Sequence, residues 1–127
     1  MRNLPIALLL TMSAAAFAQE AAPGGPDMVK DYAGLWQVQD ETGTKTCNVK
    51  LATDDTIGGQ AIDIAEGCAR TFPVMDEIAA WRIYENGDIV FADATRRERL
   101  RFYTPDETYV AVTEIDGIVR LVPRGND

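Results

Sequence analysis

The feature that most constrains this fold is a repeated alternation of apolar and polar residues in short segments separated by turns. Cys47, Val49 and Leu51, for example, alternate with polar neighbours. Because successive side chains of a strand point to opposite faces, this period of two predicts half-buried β-strands. Similar segments recur from Trp36 to Val122 at the regular spacing that is typical of all-β domains.

Eight predicted strands and their connections follow from this pattern. The strands are expected at residues 35–40, 47–51, 61–65, 81–84, 89–92, 100–103, 109–115 and 118–122. Residues 53–56 predict a turn, and residues 66–79, which contain Pro73, predict a loop with a short helical turn. The Asn-Gly and Asp-Gly pairs at 86–87 and 116–117 predict tight hairpins, because both central positions of the favoured turn need positive φ.

Short connections in a small chain favour a closed barrel, because closure leaves no exposed strand edge. We therefore predict an all-β fold, a small eight-stranded antiparallel up-and-down β-barrel over residues 32–123. A barrel of this size is filled by its own side chains or holds one small ligand. Trp36, Trp81, Phe91 and Phe102 are the side chains predicted to fill it.

Residues 1–18 have the pattern of a cleavable signal peptide. Arg2 precedes a short apolar run, and Ala16 and Ala18 satisfy the small-x-small rule, so we expect cleavage before Gln19. The apolar run is too short to span a bilayer comfortably. We therefore expect the mature protein to be periplasmic or secreted and to have no membrane anchor.

Residues 19–31 are predicted to form a flexible N-terminal arm. Ala21 to Pro26 are small residues with repeated Pro and Gly, which predicts an extended segment with no place in the core. Asp27 is predicted to cap one helical turn that ends near Tyr32. The arm is either a spacer or a free segment that enters the cleft of a partner.

The two cysteines of the chain are predicted to form one disulfide. In an exported domain, two cysteines most often pair, and a bridge between Cys47 and Cys68 removes about 3 kcal/mol of unfolded-state entropy. A metal or redox pair is disfavoured because the sequence has no His and no C-x-x-C motif. We predict no metal ligands.

Composition and motifs argue against catalysis and nucleic-acid binding. A net charge of -8 leaves no excess of Lys and Arg for phosphates. Without His there is no Ser-His-Asp device, and no phosphate-binding loop is present. We therefore predict no catalytic residue, no cofactor and no nucleic-acid partner. Four arginines are expected to line a solvated edge strand: Arg96, Arg97, Arg99 and Arg101.

Several short motifs in order resemble those of the alkaline proteinase inhibitor family, the small periplasmic bacterial inhibitors of serralysin-type zinc metalloproteases. The motifs are Ala33-Gly34-Leu35-Trp36 after a short leader, Cys47-x-Val49-x-Leu51, Cys68, Trp81 and a hairpin at Gly87. The resemblance covers residues 32–122 and rests on the order and spacing of these motifs.

The resemblance implies an eight-stranded barrel with one disulfide that inhibits through its N-terminal arm. Members of the family insert the mature N-terminus into the protease cleft, where the terminal amine meets the catalytic zinc. In this chain Gln19 takes the terminal position, and Glu20, Ala21 and Ala22 follow it. Family members tend to begin with Ser, whereas a terminal Gln19 can cyclise and lose its amine.

The predicted function is an exported, monomeric, non-enzymatic inhibitor of secreted zinc metalloproteases of the serralysin type. One alternative is a lipocalin-like carrier, because an eight-stranded barrel can be hollow and bind a small ligand. Another is a non-inhibitory interaction domain of the cell envelope. A filled interior favours the inhibitor, and an apolar cavity favours the carrier.

Overall fold

The computed structural model describes residues 21–125, which form a closed antiparallel barrel of eight strands in sequence order. The strands are β1 (Gly34–Gln39), β2 (Thr46–Thr56), β3 (Gly59–Ile64), β4 (Ile78–Ile83), β5 (Ile89–Asp93), β6 (Glu98–Tyr103), β7 (Tyr109–Ile115) and β8 (Ile118–Pro123). The helices are α1 (Pro26–Tyr32), α2 (Cys68–Thr71) and a 3₁₀ helix (Pro73–Glu77). The predicted fold class is confirmed, whereas the predicted signal peptide lies outside the described residues.

The interior of the barrel is packed with side chains. Trp81, Phe91 and Phe102 are fully buried, and Trp36 is 6% exposed. The rings of Phe91 and Phe102 meet edge to face, with their centroids 5.4 Å apart, a favourable geometry for aromatic pairs. The predicted filling of the barrel is confirmed, and this is the arrangement that favours the inhibitor over the carrier.

One end of the barrel is closed by the segment between β3 and β4. In the 3₁₀ helix Val74 and Met75 are buried, and the backbone N–H of Val74 donates to Asp116 Oδ2 at 2.6 Å. The predicted disulfide is confirmed, with the Cα atoms of Cys47 and Cys68 5.1 Å apart, and it joins β2 to α2. The predicted short helical turn in this loop is also confirmed, as two consecutive turns.

The two predicted Gly hairpins form, but by different turns. Asp116 and Gly117 have φ of 54° and 85°, as the two-residue turn requires. At the other hairpin only Gly87 has positive φ, and its N–H donates to the carbonyl oxygen of Tyr84 at 2.8 Å. The two-residue turn predicted at Asn86 and Gly87 is therefore wrong. A β-turn that begins at Tyr84 ends at Gly87 in the left-handed conformation, so the hairpin loop is one residue longer than predicted.

The turn predicted at residues 53–56 is also wrong, because β2 continues through them to Thr56. The chain reverses instead at Ile57 and Gly58, where Gly58 has a φ of 92°. Residues 53–56 are exposed on both faces of the strand, so they carry polar side chains without alternation and resemble a turn in sequence. Among residues 21–125 no helix is long and apolar enough to cross a membrane.

Candidate functional site

The start of the described chain is hydrogen-bonded to the end of β4. The backbone N–H of Glu85 donates to the carbonyl oxygen of Ala22 at 2.8 Å. Two residues later, the N–H of Gly24 donates to the carbonyl oxygen of Ile83 at 2.8 Å. Residues 22–24 therefore form a short antiparallel anchor for the predicted arm, and Ala21 is the first described residue ahead of it.

This anchor occupies a gap in the barrel. β3 pairs with β4 only at Gln60–Trp81 and Ala61–Ala80, so the following backbone groups of β4 have no partner in β3. Gly59 lies against β4 just where the pairing ends, and only a glycine fits there, because a Cβ would overlap the carbonyl oxygen of Trp81. The arm satisfies the unpaired backbone groups that such a gap would otherwise expose.

Helix α1 follows the anchor and packs on the adjacent end of the barrel. Its N-cap is Gly25, and Pro26 occupies the first turn, where a missing N–H costs nothing. The cap predicted at Asp27 is therefore wrong, because the helix begins one residue earlier and Asp27 lies inside its first turn. Val29 is the buried residue of the helix, at 8% exposure.

An aromatic cluster links α1 to the barrel. The indole N–H of Trp36 donates to the carbonyl oxygen of Tyr32 at 2.8 Å. Tyr109 meets both rings edge-on, with centroids 5.5 Å from Trp36 and 6.2 Å from Tyr32. Burial raises the pKa of the Tyr109 phenol, and a hydrogen bond with Tyr32 raises this pKa further. The cluster fixes the helix that carries the arm.

An open cavity of about 290 Å³ lies between the arm and the β2–β3 hairpin. Gly24 and Pro26 line one side of it together with α1, and Thr53, Asp55 and Gln60 line the other. None of the four core aromatic residues contributes to this cavity. The cavity lies at the surface, and the anchor and the hairpin lie on opposite sides of it.

The arginine segment is not an edge strand, because β6 lies between β5 and β7. Arg101 Nη1 lies 2.8 Å from Asp88, and Arg101 Nη2 lies 2.8 Å from Glu98. The hydrogen bonds that Arg101 donates to Glu98 raise the pKa of Arg101, although burial opposes this shift. The guanidinium also lies 5.0 Å from the ring centroid of Tyr84. Arg101 thereby holds the strand end that receives the arm. The predicted edge position is wrong, whereas Arg96 and Arg97 are exposed to solvent as predicted.

The predicted arm residues divide into two groups. Gln19 and Glu20 lie outside the described residues, whereas Ala21 precedes the anchor and Ala22 is its first residue. The sequence analysis missed Ile83 and Glu85, the partners of the arm, because backbone pairing leaves no signature in side-chain type. In the part of the chain that the structure describes, no group of three His, Cys, Asp or Glu side chains could hold a metal.

The comparisons with known proteins agree with this architecture. A family model described as "Protease inhibitor Inh" matches residues 27–122, which is most of the chain. The match runs from the second residue of α1 to the last but one residue of β8, and it begins after the anchor. No curated protein gives a significant match.

Proposed function

The chain belongs to the protease inhibitor Inh family, and from this premise we propose that it inhibits secreted zinc metalloproteases of the serralysin type by inserting its mature N-terminus into the protease cleft. The anchor at residues 22–24 is the observation that supports this proposal most directly. It fixes Ala22, the third residue after Gln19, beside the end of β4.

The anchor limits how far the arm reaches. If cleavage falls after Ala18, only Gln19, Glu20 and Ala21 precede the first anchored residue, Ala22. An extended chain advances about 3.4 Å per residue, so the terminal amine lies within about 10 Å of the anchor. That length suits insertion into a cleft and is too short to wrap around a partner.

The anchor also lowers the cost of binding. Ordering a free backbone costs about 1–2 kcal/mol per residue. Residues 22–24 are already paired with β4, so binding has to order only the residues ahead of them. Pre-organisation of this kind increases affinity without adding a contact.

The family resemblance assigns the zinc contact to the amine of Gln19. An α-amine has a pKa of about 7.7–8.0, so a useful fraction is neutral near pH 7 and able to donate a lone pair to zinc. Cyclisation of Gln19 to pyroglutamate converts this amine to an amide and removes the ligand. The proposal therefore requires that the inhibitory form keeps an uncyclised N-terminus.

The proposed site of action is the periplasm or the extracellular medium. The Cys47–Cys68 disulfide is consistent with an oxidising compartment, where such bonds form and persist. The family match supports a protease partner in general, and the choice of a serralysin-type metalloprotease comes from the resemblance of the sequence motifs.

A truncation series tests the proposal. We expect a chain that begins at Ala22 to have the melting temperature of the chain that begins at Gln19, because the anchor and α1 are intact. Its inhibition constant against a serralysin-type protease should be at least 100-fold higher. A Gln19→Ser variant, which cannot cyclise, is the matched control and should inhibit fully.

Two results would contradict the proposal. If the chain that begins at Ala22 inhibits as well as the full mature chain, arm insertion is excluded and inhibition must come from the barrel. If neither the mature chain nor its Gln19→Ser variant inhibits any zinc metalloprotease in a panel, the proposed function itself is wrong.

A further inference from the structure

We propose that the ring of Tyr103, at the end of β6, is a second contact that packs into an apolar pocket on the rim of the same protease cleft. This inference rests on the proposed function and adds a specificity-determining residue of the barrel to it. Three observations carry it: the end of the barrel towards which the anchor runs, the exposure of Tyr103 at that end, and the pairing that links Tyr103 to the anchor.

The anchor runs towards one end of the barrel. Gly24 is bonded to Ile83 and Ala22 to Glu85, so residues 24 to 22 follow β4 towards the β4–β5 turn. If the arm continues in this direction, the protease receives it at the end of the barrel where β4 ends. Because neighbouring strands of the barrel are antiparallel, β6 ends at this same end, with Tyr103 as its last residue.

Tyr103 is the exposed large apolar residue at this end. In the described part of the chain such residues are Ile57, Tyr103 and Val112, with Tyr103 at 40% exposure. Ile57 belongs to the β2–β3 tip, which packs against the β5–β6 turn at the opposite end, and Val112 lies midway along β7. A single exposed apolar residue is ordinary on its own, so its position decides the matter.

Contacts on the outer face of the barrel link Tyr103 to the anchor. Pro23 lies directly opposite Tyr84, and the Arg101 guanidinium lies 5.0 Å from the ring centroid of Tyr84. Leu100 and Phe102 are the buried residues of β6, so the side chains of Arg101 and Tyr103 both point outwards. Tyr103 therefore lies on the same face as the pair that holds the anchor.

The distance between the anchor and Tyr103 is short compared with an interface. Ile83, beside the anchor, pairs with Ile89, and Ile89 pairs with Phe102. Neighbouring strands lie about 4.8 Å apart, so Phe102 is about 14 Å from the anchor. A stable interface covers about 800 Å² of each partner, a patch with a radius of about 16 Å. The short arm cannot supply this area alone, and a patch centred on the anchor reaches the end of β6.

The side chain of Tyr103 indicates the chemistry of the rim. The charge of Arg101 is compensated by Asp88 and Glu98, each 2.8 Å away, so the ring is what the end of β6 offers a partner. Tyrosine is enriched among the residues that dominate binding energy, because it buries a large surface at a low cost in conformational entropy. The surface that fits is therefore a pocket lined by apolar side chains.

The test compares Tyr103→Thr with Val112→Thr in the mature protein. Thr preserves the preference for a strand, and Val112 is 54% exposed on the neighbouring strand, so it is a matched control. Against a purified serralysin-type protease, Tyr103→Thr should raise the inhibition constant at least tenfold, and Val112→Thr should change it less than twofold. Tyr103→Phe, which keeps the ring, should change it less than threefold.

Hydrogen exchange at the amide of Gly24 separates a lost contact from a loosened arm. The exchange rate should be the same in Tyr103→Thr as in the wild type, because the anchor is bonded to β4 and not to β6. Faster exchange together with weaker inhibition would overturn the contact, since the loss would then come from the arm.

The other outcomes separate the two proposals. If the wild type inhibits and Tyr103→Thr inhibits equally well, the Tyr103 contact is wrong and arm insertion stands. A loss in Val112→Thr or in Tyr103→Phe equal to that in Tyr103→Thr would also overturn the contact, because the effect would then not depend on the position or on the ring. If the wild type fails to inhibit, the proposed function and the Tyr103 contact fall together.

Discussion

Tyr109 is a residue whose environment has a measurable consequence for stability. The residue is 8% exposed, and its ring meets Trp36 and Tyr32 at the end of the barrel. Burial disfavours the charged phenolate, so the pKa of Tyr109 is raised in the folded protein. A tyrosine of the unfolded chain ionises near pH 10.

We therefore expect stability to decline at alkaline pH through Tyr109. Below about pH 10 the phenol is neutral in both states, and the contribution is fully present. Above that pH the unfolded chain ionises while folded Tyr109 stays neutral, so stability is lost as pH rises towards the folded pKa. Denaturant unfolding at a series of pH values measures this decline.

Tyr109→Phe is the informative variant for this prediction. It should cost about 1 kcal/mol at neutral pH through the lost hydrogen bond and should show a smaller alkaline decline than the wild type. Tyr103→Phe, at a residue 40% exposed, is the control and should leave the decline unchanged. Equal alkaline declines in all three proteins would contradict the assignment to Tyr109.

At the scale of elements, the sequence predicted the strands and turns that have a local residue pattern. It did not predict features that depend on contacts between distant parts of the chain. Short apolar segments between turn signals located all eight strands, and the Asp116-Gly117 turn formed as expected. The end of β2 was missed because residues 53–56 have no buried face to produce alternation. The following Gly58-Gly59 pair was the available signal for the true turn.

The same limit applies to the candidate site. The composition of residues 19–31 predicted a flexible arm, whereas residues 22–24 are hydrogen-bonded to the barrel. The anchor could not be predicted, because it consists of backbone hydrogen bonds between residues 22–24 and 83–85. Its place depends on where β3 leaves β4, which is a property of the assembled sheet.

Gly59 provides a test of how closely β3 approaches β4. A Cβ there would overlap the carbonyl oxygen of Trp81, and φ is 148°. Gly117 also has positive φ, 85°, but a Cβ there meets nothing within 4 Å. Gly117→Ala should cost about 1–2 kcal/mol from backbone strain, whereas Gly59→Ala should cost about 3 kcal/mol or more because strain and overlap add.

Denaturant unfolding of the two glycine variants measures this difference directly. Gly59→Ala should also weaken the pairing of the arm with β4, which hydrogen exchange at the amide of Gly24 would detect. If the two variants are equally stable, the close approach of β3 to β4 is not as described.

At the scale of the whole molecule, the barrel is closed at its two ends by different means. The disulfide and the 3₁₀ helix secure one end, and α1 with the aromatic cluster secures the other. Stability of the whole barrel and presentation of the arm are therefore separable. The disulfide supports the barrel without touching the residues that anchor the arm.

The double variant Cys47→Ala, Cys68→Ala tests this separation. Loss of a disulfide from a small exported domain costs about 2–5 kcal/mol, so the free energy of unfolding should fall by that amount. At a temperature where the variant is still folded, its inhibition constant should equal that of the wild type. A large loss of inhibition in the folded variant would show that the two ends are coupled.

Pairing of residues 22–24 with β4 has one consequence for how this inhibitor can diversify. If the arm inserts as proposed, chain length determines depth inside the partner, since each residue added ahead of Ala22 would move the terminal amine outward by up to about 3.4 Å. Under the proposed mechanism, the site of signal cleavage would set the depth that the amine reaches. A shift of cleavage by one residue would change the length of the arm, so that it suits a deeper or shallower active site. Every strand of the barrel would stay the same.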